Sequence, residues 1–132
     1  MPDRKAGGKV IIGSAEEGVQ RSLKRLVAGG FGRSVISVKE TSDLLLEILD
    51  KQVELTIIDV NLQGLPITKT IQIVKKCRPG IPVIVISDDY SVATGSSIAC
   101  QGVFYYMYKP LDLESFKEIV RSALKKLARE GS

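Results

Sequence analysis

The chain has 132 residues, 44% of them hydrophobic, with 19 basic against 15 acidic side chains, two cysteines and no histidine. That length fits a single domain, over residues 1–132 with a core from about 9 to about 128, able to bury roughly two thirds of its unfolded surface. Cys77 and Cys100 form no CxxC pair and have no histidine to join them, which excludes a zinc site and leaves them as expected reduced packing residues. No apolar run approaches a membrane span and the N-terminus lacks the apolar core of a signal peptide, so a cytoplasmic location is expected. The excess of positive charge gathers near the C-terminus, where Lys125, Lys126 and Arg129 alternate with Glu114, Glu118 and Glu130. Such a run reads as a solvated helix face whose cations complement the helix dipole. Without a helix-turn-helix pattern or an RNA-binding aromatic signature beside it, direct nucleic-acid binding is not expected.

Short β-rich runs alternate with segments of helical period. Val10-Ile11-Ile12 reads as a buried strand, followed by a helix over Glu16–Ala28 with Val19, Leu23, Leu26 and Val27 on its apolar side and Gly29-Gly30-Phe31-Gly32 to stop it. Val35–Val38 is a second strand, and Thr41 or Ser42 can cap a helix bearing Leu44, Leu45, Ile48 and Leu49. The third strand is Leu55–Asp59. Pro66 suits the first turn of a helix carrying Ile67, Ile71 and Val74, which Pro79-Gly80 ends. Val83–Ile86 is continuously apolar, as a strand buried on both faces should be. The helix after it, Ser91–Cys100, contains Gly95-Ser96-Ser97 and should be the least stable. Val103–Tyr108 is the fifth strand. Asp112 can cap a final helix whose Leu113, Phe116, Val120, Leu124 and Leu127 keep the three-four spacing. Five strands alternating with five helices define a doubly wound α/β fold.

Three of the apolar runs end in Asp59, Ser87 and Lys109. In a parallel sheet these side chains emerge at one edge, where α/β folds build their sites. A carboxylate, a hydroxyl and an ammonium are the working parts of a phosphoryl-accepting switch: a nucleophile, a hydrogen-bond donor to a phosphoryl oxygen, and a cation for the added charge.

The element order, Asp59 followed by Asn61-Leu62-Gln63-Gly64, Ser87 ending the fourth strand, and Gly102–Pro110 around the fifth resemble the receiver domain of two-component response regulators over nearly the whole chain. The resemblance implies a flavodoxin-like five-stranded parallel sheet of order 2-1-3-4-5 and a signalling module, not an enzyme. It implies Asp59 as the residue phosphorylated by a histidine kinase, the Asn61 carbonyl as a magnesium ligand, Ser87 as the switch hydroxyl, Tyr106 as the aromatic rotamer switch, and Lys109 as the phosphate-sensing lysine before a cis Pro110. The competing readings are a loop-capping Asp59, a Ser87 bonded to its own turn and a Tyr106 that is one more strand aromatic.

The departure from that pattern lies after the first strand, where receivers carry two adjacent acidic residues and this chain reads Ser14-Ala15-Glu16-Glu17. Magnesium, a hard cation served by carboxylates, is left with Asp59 and the Asn61 carbonyl, so its binding should be weak or absent. Glu16 or Glu17 could reach back as a substitute ligand. Alternatively, Ser14-Ala15-Glu16-Glu17 has the form of a capping box, the preferred reading. Asp88 could face the pocket or cap the next helix with Asp89, the second being preferred. Asp59 and Lys109 are expected to neutralise each other.

Two functions follow. One is a pseudo-receiver, an interaction module with little magnesium-dependent phosphorylation, signalling through the fourth helix, fifth strand and fifth helix. Phe104, Tyr106 and Tyr108 are expected on one side of that strand and Tyr105 and Met107 on the other. The other is a genuine phosphoacceptor served by a histidine kinase or phosphotransfer protein. A homodimer is compatible with either. A flavin-dependent redox enzyme is disfavoured, because the loop after the first strand is acidic where a flavin phosphate needs donors.

Overall fold

The computed structural model describes residues 8–131, with side chains up to Lys126, so those of Leu127, Arg129 and Glu130 lie outside the described residues. Five parallel strands, β1 (Lys9–Gly13), β2 (Ser34–Val38), β3 (Val53–Asp59), β4 (Val83–Ser87) and β5 (Tyr105–Tyr108), form one sheet in the order β2-β1-β3-β4-β5. The helices are α1 (Glu17–Phe31), α2 (Thr41–Glu47), α3 (Ile67–Cys77), α4 (Val92–Ala99) and α5 (Leu113–Gly131).

The twofold alternation of the strands divides the core. Val10, Ile12, Leu55, Ile57, Ile84 and Ile86 face α1 and α5, where Leu23, Val27, Phe116 and Val120 cover them. Ile11, Ile58, Val83 and Val85 face the opposite layer, against Leu44, Ile48, Ile71, Val74 and Ile98 from α2, α3 and α4. Both layers bury aliphatic side chains completely, at roughly 1.5–3 kcal/mol each. No helix among the described residues is long and apolar enough to cross a membrane.

Several local expectations need correcting. Helix α1 runs through Gly29-Gly30 to Phe31, and the left-handed Gly32 (φ 64°) ends it. Neither Thr41 nor Ser42 caps α2, whose N-cap is Glu40 with no side-chain bond. The Thr41 hydroxyl is spent instead on the Gln63 carbonyl and the Leu65 amide, fastening the loop after β3. Leu49 and Leu113, assigned to apolar helix faces, are exposed, while Phe116, Val120 and Leu124 are buried as their spacing predicts. Strand β5 begins at Tyr105, so Phe104 precedes the strict alternation and packs in the α1–α5 layer with Met107, away from Tyr106. Cys77 and Cys100 are free but exposed, so they are not packing residues.

Candidate functional site

The register of the sheet gathers the site. Gly13 pairs Ile58, Asp59 pairs Ile86 and Ser87 pairs Tyr108, so Ser14, Asp59, Ser87 and Lys109 leave four adjacent strands at one edge. Asp59 is fully buried at the centre. Its Oδ2 accepts from the Ser14 hydroxyl at 2.8 Å and from the Lys109 ammonium at 2.8 Å, and its Oδ1 accepts from the Asn61 amide at 3.1 Å. The contact between Asp59 and Lys109 is the one their opposite charges predict.

Ser14 does not form the expected capping box. Helix α1 starts at Glu17 with Glu16 as N-cap, two residues too late for Ser14 to be the cap that reaches the Glu17 amide. Glu17 turns outward to Lys39 at 2.8 Å. The Ser14 oxygen accepts from the Glu16 amide at 3.0 Å and directs its hydroxyl at Asp59. Gln20 fixes this arrangement, donating to the carbonyls of Ser14 at 2.6 Å and Val38 at 3.1 Å. The sequence reading missed Ser14 as a partner of Asp59; the signal was a hydroxyl one residue beyond the strand adjacent to β3.

Glu16 and Asp88 stand at the rim. The Asn61 side-chain amide donates to Glu16 at 2.6 Å and lies 3.4 Å from Asp88, while Lys109 Nζ lies 3.5 Å from Glu16. Asp88 therefore faces the pocket mouth and is not the residue that orders α4. Asp89 takes that role, accepting from the Ser91 amide at 2.9 Å and the Thr94 hydroxyl at 2.7 Å, and these bonds hold its carboxyl below the usual range. Ser91 completes the cap by accepting from the Thr94 amide at 3.2 Å.

Burial by itself would lower the Lys109 pKa, but the hydrogen bond to Asp59 and the charges of Asp59, Glu16 and Asp88 outweigh it and raise the pKa above the ordinary lysine value. A raised folded pKa means that the associated stabilisation is complete below the unfolded value of about 10.4 and is lost as pH rises through the folded one. Unfolding free energy measured in urea should lose the Lys109 contribution only above about pH 10.4, and Lys109→Met should remove that part of the alkaline decline.

Ser87 is buried, yet its hydroxyl is engaged with its own turn, accepting from the Asp89 amide at 2.9 Å and lying 3.3 Å from the Asp89 carbonyl. Tyr106, half-buried, donates to that same carbonyl at 3.3 Å. The bond between Lys109 and Pro110 is cis. Tyr90, absent from the sequence reading, donates to the Lys109 carbonyl and packs on Tyr108 with ring centroids 5.0 Å apart.

The donor set fits a divalent cation poorly. Both oxygens of Asp59 already accept hydrogen bonds, and among the described residues no group of three His, Cys, Asp or Glu side chains is placed to hold an ion. Magnesium requires near-octahedral oxygen ligation, which a single buried carboxylate bonded to an ammonium does not offer.

Comparisons with known proteins agree with this architecture. No family model matches the chain. The transcriptional regulatory protein ZraR of Salmonella typhimurium is 25% identical over 126 residues, which is 95% of this chain and 29% of ZraR. The chain thus spans less than a third of that relative's length. The response regulator receiver domain protein (CheY-like) from Methanospirillum hungatei JF-1 superposes with a TM-score of 0.86 at 19% identity, covering 94% of this chain and 98% of that one. The beryllofluoride-activated NtrC4 receiver domain dimer gives a TM-score of 0.82 at 22% identity, covering 90% and 98%. By strand order and by superposition, the chain has the fold of CheY-like response-regulator receiver domains.

Proposed function

We propose that this chain is a receiver domain acting as a protein-interaction module of two-component signalling, with a phosphoacceptor pocket neutralised from within, so that magnesium binding and magnesium-dependent phosphorylation are weak or absent. The observation that carries the reading is the double engagement of Asp59 Oδ2 by Ser14 and Lys109, each at 2.8 Å. In a pocket of clustered carboxylates, two charges about 4 Å apart repel by about 4 kcal/mol at an effective dielectric near 20, and a cation is needed to hold them. Here a hydroxyl replaces one carboxylate and an ammonium balances the other. Every buried side-chain polar atom among the described residues has a partner, so the pocket is satisfied as it stands. The partner surface of this reading is the face of α4, β5 and α5, where Val92, Tyr105 and Tyr108 are exposed and available as anchors.

A second reading, a genuine phosphoacceptor served by a histidine kinase or phosphotransfer protein, draws on one specific observation. Glu16 lies over the pocket and meets Asn61 and Lys109, and Asp88 approaches Asn61 from the other side. These two carboxylates could supplement Asp59 as metal ligands if Lys109 moved aside. A homodimer, as in the NtrC4 receiver, is compatible with both readings.

Incubation with a small-molecule phosphodonor and magnesium, read by intact mass, separates them. The first reading expects no phosphoryl adduct; an adduct that Asp59→Asn abolishes would establish the second. Partner binding supplies the complementary test, since the first reading expects it to survive Asp59→Asn and to fail in Tyr106→Ala.

A further inference from the structure

The loop from Ser87 to Ser91 is closed on β5 by bonds from two tyrosines. The Tyr106 hydroxyl holds the Asp89 carbonyl at 3.3 Å, and the Tyr90 hydroxyl holds the carbonyl of Lys109. The rings form a continuous row, Tyr90 against Tyr108 at 5.0 Å and Tyr108 against Tyr106 at 5.2 Å. Lys109 is consequently pinned at three points: its amide donates to the Ser87 carbonyl at 2.8 Å, its carbonyl accepts from Tyr90, and its ammonium reaches Asp59 at 2.8 Å. Within the same loop, the Ser87 hydroxyl is turned to Asp89 and does not bond Asp59.

We propose that Tyr90 is a positioning residue for Lys109: a latch that joins the loop before α4 to the backbone of the lysine, keeping the ammonium on Asp59 and the Ser87 hydroxyl in its own turn. The physical case rests on how few restraints the loop has otherwise. Asp88, Asp89, Tyr90 and Ser91 are all exposed, and α4 buries only Ile98. Asp89 and Ser91 organise the helix start internally, which shapes the loop without attaching it to β5. Among the described residues, attachment to β5 comes from the ladder bond at Ser87, the two tyrosine hydroxyls and the contact of the Tyr90 ring with Tyr108. The ladder bond holds the Lys109 amide, and of the two tyrosine hydroxyls that of Tyr90 is the one that lands on Lys109, the residue that neutralises Asp59. Tyr90 is also 62% exposed, so anything that displaces its ring acts on Lys109 through a single hydrogen bond. Coupling of this kind is reciprocal: a change in how Lys109 is held also changes the position of Tyr90.

The inference concerns the pocket of the proposed function but is tested without metal or phosphodonor, so its failure is distinguishable from failure of that reading. Hydrogen exchange of the Asp89 amide and of the Lys109 ammonium is measured by NMR in the intact chain and in two hydroxyl deletions, Tyr90→Phe and Tyr106→Phe. Loss of one neutral hydrogen bond corresponds to about a two- to tenfold change in a local opening equilibrium. Tyr90→Phe should accelerate both sites by that factor, whereas Tyr106→Phe should accelerate Asp89 alone, with amides of β1 and β3 unchanged in both variants. An unchanged Lys109 ammonium in Tyr90→Phe, or an equal acceleration across β1, β3 and the pocket, would overturn the latch, since the second outcome is what a merely structural tyrosine produces.

Discussion

Replacing Lys109 by methionine is expected to lower the unfolding free energy by about 3 kcal/mol, because it leaves the carboxylate of Asp59 without its cation in a site closed to water. Asp59 is 0% exposed and the Lys109 side chain 16%, so solvent can reach the ammonium but not the acid. That asymmetry places the loss near the lower end for a broken buried pair. Ser14 and Asn61 still donate to Asp59 in the variant, but their hydrogen bonds carry no net charge to balance it. Adding Asp59→Asn should recover much of the loss, since the double variant has no charge left to balance. Urea unfolding of the two singles and the double gives the coupling directly. A change below about 1 kcal/mol in Lys109→Met would show that the pair behaves as an exposed one.

The second large effect has the opposite chemical origin. Ser14→Asp sets a carboxylate where the serine hydroxyl now lies 2.8 Å from Asp59. Two such charges about 4 Å apart repel by about 4 kcal/mol at an effective dielectric near 20, of which Lys109 can offset only part. Without metal, a loss of roughly 2–4 kcal/mol is expected. Magnesium should restore most of it in Ser14→Asp combined with Ala15→Asp, because carboxylate ligands are what the natural pocket lacks. Thermal unfolding with and without magnesium checks this. A variant as stable as the parent in the absence of metal would mean that Ser14 is not confined against Asp59 as the geometry requires.

What the sequence revealed follows from which interactions are periodic. The short apolar runs Val10–Ile12, Leu55–Ile58 and Val83–Ile86 predict strands, the last buried on both faces, and each lies in the sheet where expected. Asp59, Ser87 and Lys109 were legible because strand ends in a parallel sheet share an edge. Ser14 was misread because two local motifs competed for it. The capping box depends on where α1 begins, and a shift of two residues at a helix start redirects the hydroxyl from the helix to Asp59. Asp89 was foreseen, with Asp88, as a cap of the next helix, whereas Tyr90 was invisible because its bond depends on how an aperiodic loop folds, and no spacing rule specifies that. Phe104 was placed on the wrong side because alternation was extended past the true start of β5 at Tyr105.

Titration with magnesium tests whether internal pairing takes the place of the metal in this pocket. Amide NMR of the purified domain should be followed at Asp59, Asn61 and Lys109 as magnesium is added, first alone and then with beryllofluoride. No saturating shift is expected at these residues in the millimolar range, and a clear one is expected in the Ser14→Asp, Ala15→Asp variant. A tight, saturating magnesium site in the unmodified chain would contradict internal pairing, and would identify Glu16 and Asp88 as the ligands that replace the missing pair.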